Sequence, residues 1–343
     1  MKRAVIFGVT GQDGSYLSEL LLSKNYEVVG VSRRSSSDNT ARLTFSLKHP
    51  RFKLVQGDVT DITSIYRILH EYLPHEVYNL AAQSHVWTSF KQPQLTWNVT
   101  AQGCLNVLET LLTLPETPKF YQASSSEMFG DSCDINNEEL DGRYQDEDTI
   151  FSPQSPYAIA KLAAHNATNL YRKAYGVFAC SGILFNHESE RRGEEFLTRK
   201  VSSYIADFYA AKQKGSFIPK LKLGNLLSHR DWGHAKDYVE AMWLMLQHDK
   251  PGDYVISTGE THSVEEFIIE AFKCINIYGY EDYVEIDKSL YRPSEVPYLC
   301  GDSTKAKSVL GWEPTISFKD LVQRMVEHDI QSRSGYGRSA ELA

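Results

Sequence analysis

Ala4-Val5-Ile6-Phe7-Gly8-Val9-Thr10-Gly11-Gln12-Asp13-Gly14 is a short apolar run that ends in a turn with three glycines. Leu17, Leu20 and Leu21 follow at helical spacing, and Asn25 stands where a left-handed cap would close the helix. The stretch therefore predicts strand, turn and helix. Such a turn lets backbone approach a pyrophosphate, and the helix that follows presents free N–H groups and the positive end of its dipole. The spacing is GxxGxxG, and the candidate ligands of a dinucleotide are Gly8, Thr10, Gly11, Gln12, Asp13 and Gly14.

Working outward, apolar runs recur at 27–31, 52–56, 76–80, 119–123 and 178–184, with helical patterns at 61–72, 98–112 and 157–174 between them. Strand alternating with helix predicts an α/β fold, a Rossmann-type doubly wound parallel sheet. Beyond about residue 184 the rhythm breaks into charged clusters, a helix near 195–213 and turns at 215–225. We divide the chain into a nucleotide-binding domain, 1–184, and a smaller mixed α/β substrate lobe, 185–343, with a return to the first domain around 234–256. The tail 331–343 is polar and expected to be poorly ordered at its end.

The chain has 343 residues, 42% hydrophobic and 23% charged, enough apolar content for a large core. Its net charge of −8 argues against a nucleic-acid footprint. No apolar stretch approaches bilayer length, and the run after Met1-Lys2-Arg3 is too short for a secretory signal, so no membrane association is expected. Five cysteines without CxxC read as free thiols in a reducing, cytoplasmic compartment. Eleven histidines without HExxH spacing predict no metal.

The second strand ends Ser32-Arg33-Arg34-Ser35-Ser36-Ser37, where an NAD binder usually carries an acid. Two guanidiniums and several hydroxyls suit a 2′-phosphate, so NADP is the expected cofactor. Asp58 would meet the adenine amine, and Leu80, Ala81, Ala82, Gln83 and Ser84 would line the cofactor. Ser155-Pro156 opens a helix that places Tyr157 and Lys161 four apart on one face. A tyrosine near pKa 10 needs help to act as a base, and the neighbouring ammonium is expected to lower it. The fifth strand ends Ser124-Ser125-Ser126-Glu127, which puts a hydroxyl, Ser125, and a carboxylate, Glu127, at the ligand crevice. Glu127 suits a general base that becomes an acid.

These motifs resemble the extended short-chain dehydrogenase/reductases. Gly8–Tyr16, Arg33–Ser37, Asn79–Val86, Ile183–Glu188, Arg230–Leu244 and Tyr291–Glu295 narrow the resemblance to the GDP-mannose 4,6-dehydratase family. The resemblance implies GDP-mannose as substrate, bound NADP, and catalysis by Ser125, Glu127, Tyr157 and Lys161. It also places Val59, His187 and Arg192 near the cofactor, and Ser84, Asn186, Lys200, Gly224, Arg230, Arg292 and Glu295 near the sugar nucleotide. Arg191 is a further cation for the diphosphate. A homo-oligomer, dimer or tetramer, with the Arg33–Ser37 loop at the interface is implied as well. Three positions depart from the family pattern: Ser125 for threonine, Glu190 for proline and Leu95 for tyrosine. The implied reaction is C4 oxidation, elimination of water across C5 and C6, and reduction at C6. Because Tyr157, Lys161 and Ser125 serve both directions, and the three departures bear on the cofactor and product pocket, a side reduction of product to GDP-rhamnose by NADPH is a further expectation. Two alternatives stay open: an epimerase or reductase of the same fold, and a non-catalytic NADP(H)-binding sensor. Glu127 argues against a plain epimerase, and the joint presence of all four groups argues against a sensor.

Overall fold

A computed structural model describes residues 1–134 and 143–333. Seven strands form one sheet: β1 (Arg3–Phe7), β2 (Glu27–Ser32), β3 (Phe52–Gln56), β4 (Glu76–Asn79), β5 (Lys119–Ser125), β6 (Ala179–Leu184) and β7 (Asp253–Ile256). Their order is β7-β6-β5-β4-β1-β2-β3, and every pairing is parallel. The order reverses between β1 and β4, where an open parallel sheet leaves a crevice at its carboxyl edge.

Alternation along the strands supplies two cores. Ala4 and Ile6 face one side and pack with Leu17 and Leu21 of α1 (Gln12–Ser23), while Val5 and Phe7 face the other. That second core takes Ile65 and Leu69 of α2 (Ile62–Tyr72), Val107 and Leu111 of α3 (Gly103–Leu111), and Ala164 and Tyr171 of α4 (Pro156–Tyr175). Asp61 caps α2, its side chain accepting from Thr63 N, and Asn25 closes α1 at φ 67°. The helical pattern at 98–112 is one continuous path whose first turn, Asn98–Gln102, is a π-turn.

A separate core joins α5 (Leu197–Gln213), α7 (Val264–Lys273) and α8 (Phe318–Arg333) through Val201, Ile205, Phe267, Leu321 and Met325. Between them in sequence, α6 (Ala235–Gln247) packs Tyr238 and Met242 onto the α1 face of the large sheet, and β7 extends that sheet beyond β6. Residues 331–333 complete α8, and the rest of the tail, 334–343, lies outside the described residues.

Candidate active site

The carboxyl ends of β1, β4, β5 and β6 open on a cavity of about 640 Å³. At its nucleotide end the glycine turn is sterically compelled. Gly8 holds φ +82°, and a Cβ there would come 2.9 Å from Ala81 N. At Gly14 a Cβ would stand 2.4 Å from Gly8 O, so α1 can close on the turn only as glycine. Gly11 caps α1 without a side chain, which leaves the first-turn donors facing the cavity. The one acid there, Asp13, is engaged elsewhere: its Oδ2 lies 2.8 Å from His187 Nε2. Burial pushes the Asp13 carboxyl up, but the charge and hydrogen bond of His187 and a bond from Gln12 overcome this and hold it at about 2. His187 stacks on Tyr238 with centroids 4.6 Å apart, and its Nδ1 meets Phe185 O at 2.7 Å.

At the chemical end, Ser155 caps α4, its hydroxyl accepting from Ala158 N, and Pro156 starts the helix. Tyr157 and Lys161 consequently face the end of β5. Ser125 Oγ accepts from Glu127 N at 3.3 Å and shares a hydrogen bond with the Tyr157 hydroxyl. Lys161 Nζ donates to Ala123 O at 2.6 Å and sits 5.8 Å from the Tyr157 ring centroid. The expectation that this ammonium lowers the tyrosine is corrected by the geometry. Burial dominates and pushes the Tyr157 phenol up to about 12, against the lowering bond with Ser125. Burial likewise brings Lys161 down to about 8. The Arg192 charge lowers it as well but does not offset burial, so the ligand-free Tyr157 is a neutral phenol and a proton donor.

The smaller lobe closes the cavity with charge. Arg292 Nη1 lies 3.6 Å from Glu127 Oε1 and 3.7 Å from Glu295 Oε1, and Glu295 Oε1 is also 3.3 Å from Arg230 Nη2. Asn186 opens a short strand that pairs in parallel with Trp232–His234. Arg192 pairs with Glu188 at 3.0 Å and lies 3.7 Å over Phe196. Glu190 is fixed rather than loose: its Oε2 accepts from Tyr16 OH at 2.9 Å and lies 3.5 Å from His234 Nε2. Arg191 spans Ser15 and Glu19 on α1 and points away from the cavity.

Of the expected residues, Gly8, Thr10, Gly11, Gln12, Asp13, Gly14, Arg33, Asp58, Val59 and Leu80–Ser84 line the cavity together with Ser125, Glu127, Tyr157, Lys161, Asn186, His187, Arg192, Arg230 and Arg292. Asp58 Oδ1 also accepts from Thr60 N at 2.9 Å. Arg34, Ser35 and Ser36 are exposed on their loop and outside the lining. Lys200 is exposed on the first turn of α5, Gly224 lies against the backbone of Leu290, and Glu295 reaches the cavity only through the two arginines. Leu95 lines the cavity and is still 42% exposed. Asn39, His85, Glu195 and Phe196 join the wall without having been singled out. His85 directly follows the Leu80–Ser84 run, and that adjacency was the available signal.

The family model for GDP-mannose 4,6 dehydratase matches residues 5–325. The chain belongs to the GDP-mannose 4,6-dehydratase family. It is 50% identical over 340 residues to GDP-mannose 4,6 dehydratase 2 of Arabidopsis thaliana, covering 96% of this chain and 87% of the relative. With the human GDP-mannose 4,6 dehydratase the identity is 47% over 352 residues, covering 96% and 91%. With the Vibrio cholerae GDP-mannose 4,6-dehydratase it is 44% over 363 residues, covering 96% and 94%. Among solved structures, the fold matches DesIV, a dTDP-glucose 4,6-dehydratase from Streptomyces venezuelae with NAD and TYD bound, at TM-score 0.81 and 22% identity over 99% and 100% of the two chains. It also matches RMD from Pseudomonas aeruginosa complexed with NADPH, at TM-score 0.76 and 20% identity over 97% and 100%. Among the described residues no helix is long and apolar enough to cross a membrane, and no group of His, Cys, Asp or Glu is placed to hold a metal ion.

Proposed function

We propose that this chain converts GDP-D-mannose to GDP-4-keto-6-deoxy-D-mannose with resident NADP. The observation that carries the reading is the meeting of Ser125, Tyr157, Lys161 and Glu127 in one cavity at the end of β5. The residues fit a phosphorylated dinucleotide. Glycine at 8 and 14 lets the turn close tightly beside the cavity, the α1 terminus has no side-chain cap, and Arg33 and Arg192 add positive charge while Asp13 is paired with His187. When bound, NADP⁺ supplies hydride acceptance from C4 and hydride return to C6. Tyr157 takes the O4 proton, oriented by Ser125 and aided by Lys161. The ligand-free phenol is a poor base, held up by burial; the positive charge of NADP⁺, when bound beside it, would add to the lowering influence of Ser125 and Arg192. The C4 ketone acidifies the C5 proton. Glu127 removes that proton and delivers one to the departing C6 hydroxyl, and C5 is reprotonated at the end. Net redox change is zero.

The neutral Tyr157 phenol also suits proton donation, so we place beside the main reaction a side reduction of product at C4 to GDP-rhamnose when NADPH is in excess. GDP-4-keto-6-deoxymannose and NADPH should then lose absorbance faster than with Tyr157→Phe; equal rates remove this side activity. Residues 1–184 with the 234–256 return form the cofactor half of this reading, and the remainder the substrate half. Arg34, Ser35 and Ser36 are exposed and outside the lining of their own cavity, which supports a homo-oligomer with the Arg33–Ser37 loop at a subunit interface. Five unpaired cysteines support a cytoplasmic setting. The deciding experiment mixes purified protein with GDP-mannose and follows product mass and absorbance. Loss of one water without net NADPH change supports the dehydratase; a C4 epimer, or no reaction, overturns it.

A further inference from the structure

The base of the elimination is not free in this structure. Glu127 faces Arg292, and the same guanidinium nitrogen faces Glu295 at nearly equal distance, 3.6 Å against 3.7 Å. Charge-assisted bonds close at about 2.7–2.9 Å, so Arg292 is committed to neither carboxylate. Arg230 behaves differently. It is 6% exposed, donates to its own His229 O at 2.8 Å and holds Glu295 from the far side at 3.3 Å. The four side chains alternate in sign, Glu127–Arg292–Glu295–Arg230; both arginines line the cavity, and Arg230 also feels the Glu127 charge, with Arg292 the guanidinium that pairs with it. Their formal charges cancel, so a substrate diphosphate can claim Arg292 only by drawing it away from a carboxylate.

We propose that Glu295 is a positioning residue that acts on the base through Arg292. Its charge offsets the pull of Glu127 and keeps the guanidinium shared. An arriving diphosphate can then lift Arg292 off Glu127, and the carboxylate becomes able to take the C5 proton. The base is thus masked until the anionic part of the substrate is seated. A carboxylate facing an unshared guanidinium is a poorer proton acceptor, because the ion pair stabilises its charged form. This inference rests on the dehydratase reading and on Glu127 as its base.

The two ends of the network predict opposite signs. Glu295→Gln leaves Arg292 to Glu127 alone. Elimination should slow, kcat should fall about tenfold, and the fraction of bound cofactor held as NADPH at saturating GDP-mannose, read at 340 nm, should rise. Arg292→Gln removes the mask. KM should rise through the lost phosphate contact, while the bound NADPH fraction should stay at or below that of the unmodified protein. In the Arg292→Gln background, Glu295→Gln should add nothing to that fraction. Glu295→Gln that raises KM alone, with kcat and bound NADPH unchanged, makes Glu295 a plain substrate contact and overturns the proposal. A rise in bound NADPH in Arg292→Gln overturns it as well, and this holds even if Glu295→Gln fails to fold. If the unmodified protein does not dehydrate GDP-mannose, the underlying reading fails instead.

Discussion

Lys161 is charged in a place that disfavours charge, and removing it should make the protein more stable and less active at once. Its side chain is buried and its ammonium is brought down to about 8 from an ordinary 10.5, with burial as the main cause. Keeping it protonated at pH 7 costs about 3 kcal/mol, at about 1.4 kcal/mol per tenfold change in acidity. Lys161→Met keeps the apolar stem and discards the charge. The carbonyl it leaves, Ala123 O, still accepts from Gln122 Nε2 at 3.0 Å, so no acceptor is stranded. The lost bond to the ammonium takes back about 1.5 kcal/mol. The variant should therefore gain about 1–2 kcal/mol at pH 7 and lose turnover. The sign with pH follows from proton binding. Between about pH 8 and 10.5 the unfolded chain keeps the Lys161 proton and the folded chain sheds it, so the unmodified protein gains stability relative to the variant across that window. Urea unfolding of both proteins at pH 7 and pH 10 tests this. A variant that is less stable at pH 7, or a difference that does not shrink by pH 10, refutes the argument.

Glu127→Gln should permit C4 oxidation and block elimination, lowering turnover about 10²–10⁴-fold, with bound NADPH and a 4-keto-mannose species visible by absorbance and mass. Arg33→Ala should weaken NADP(H) binding by about 1.5–3 kcal/mol and NAD(H) binding by much less; a titration in which the unmodified protein binds NAD⁺ and NADP⁺ equally would sink the 2′-phosphate assignment. Gly14→Ala sets a methyl against Gly8 O at 2.4 Å and should cost about 2–3 kcal/mol in a thermal melt as well as cofactor affinity; an unchanged melt contradicts the steric account.

Local signals carried the nucleotide half. The apolar run before Gly8, the cap at Asn25, and the Ser155-Pro156 start that puts Tyr157 and Lys161 on one face all depend on neighbours in sequence, and each lies where its spacing places it. Contacts between residues far apart were not legible. Glu127 and Arg292, Asp13 and His187, and Tyr16 and Glu190 meet across long separations, and no spacing rule reports such meetings. The direction of the Tyr157 shift was missed for a related reason. A YxxxK pair reveals the nearby ammonium, but the burial that outweighs it comes from the whole assembled cavity. Glu190 looked like the loss of a stiff proline, while its partner hydroxyl on α1 could not be seen from the loop itself.

The last strand of the large sheet has a consequence for synthesis. β7 docks on β6 only after residues 253–256 have been made, some seventy residues after β6 ends at Leu184. Until then β6 presents a row of unpaired N–H and C=O groups, in a nascent chain whose other parallel strands are already in place. Once β7 arrives, Arg172 grips Asp253 and the Glu147 carboxylate accepts from Val255 N at 2.6 Å, so the new outer edge is blunted as it forms. A nascent chain in which β6 has emerged and residues 253–256 have not therefore holds out a sticky edge on a six-stranded sheet, and that interval is where chaperone capture or misassociation of this protein should concentrate.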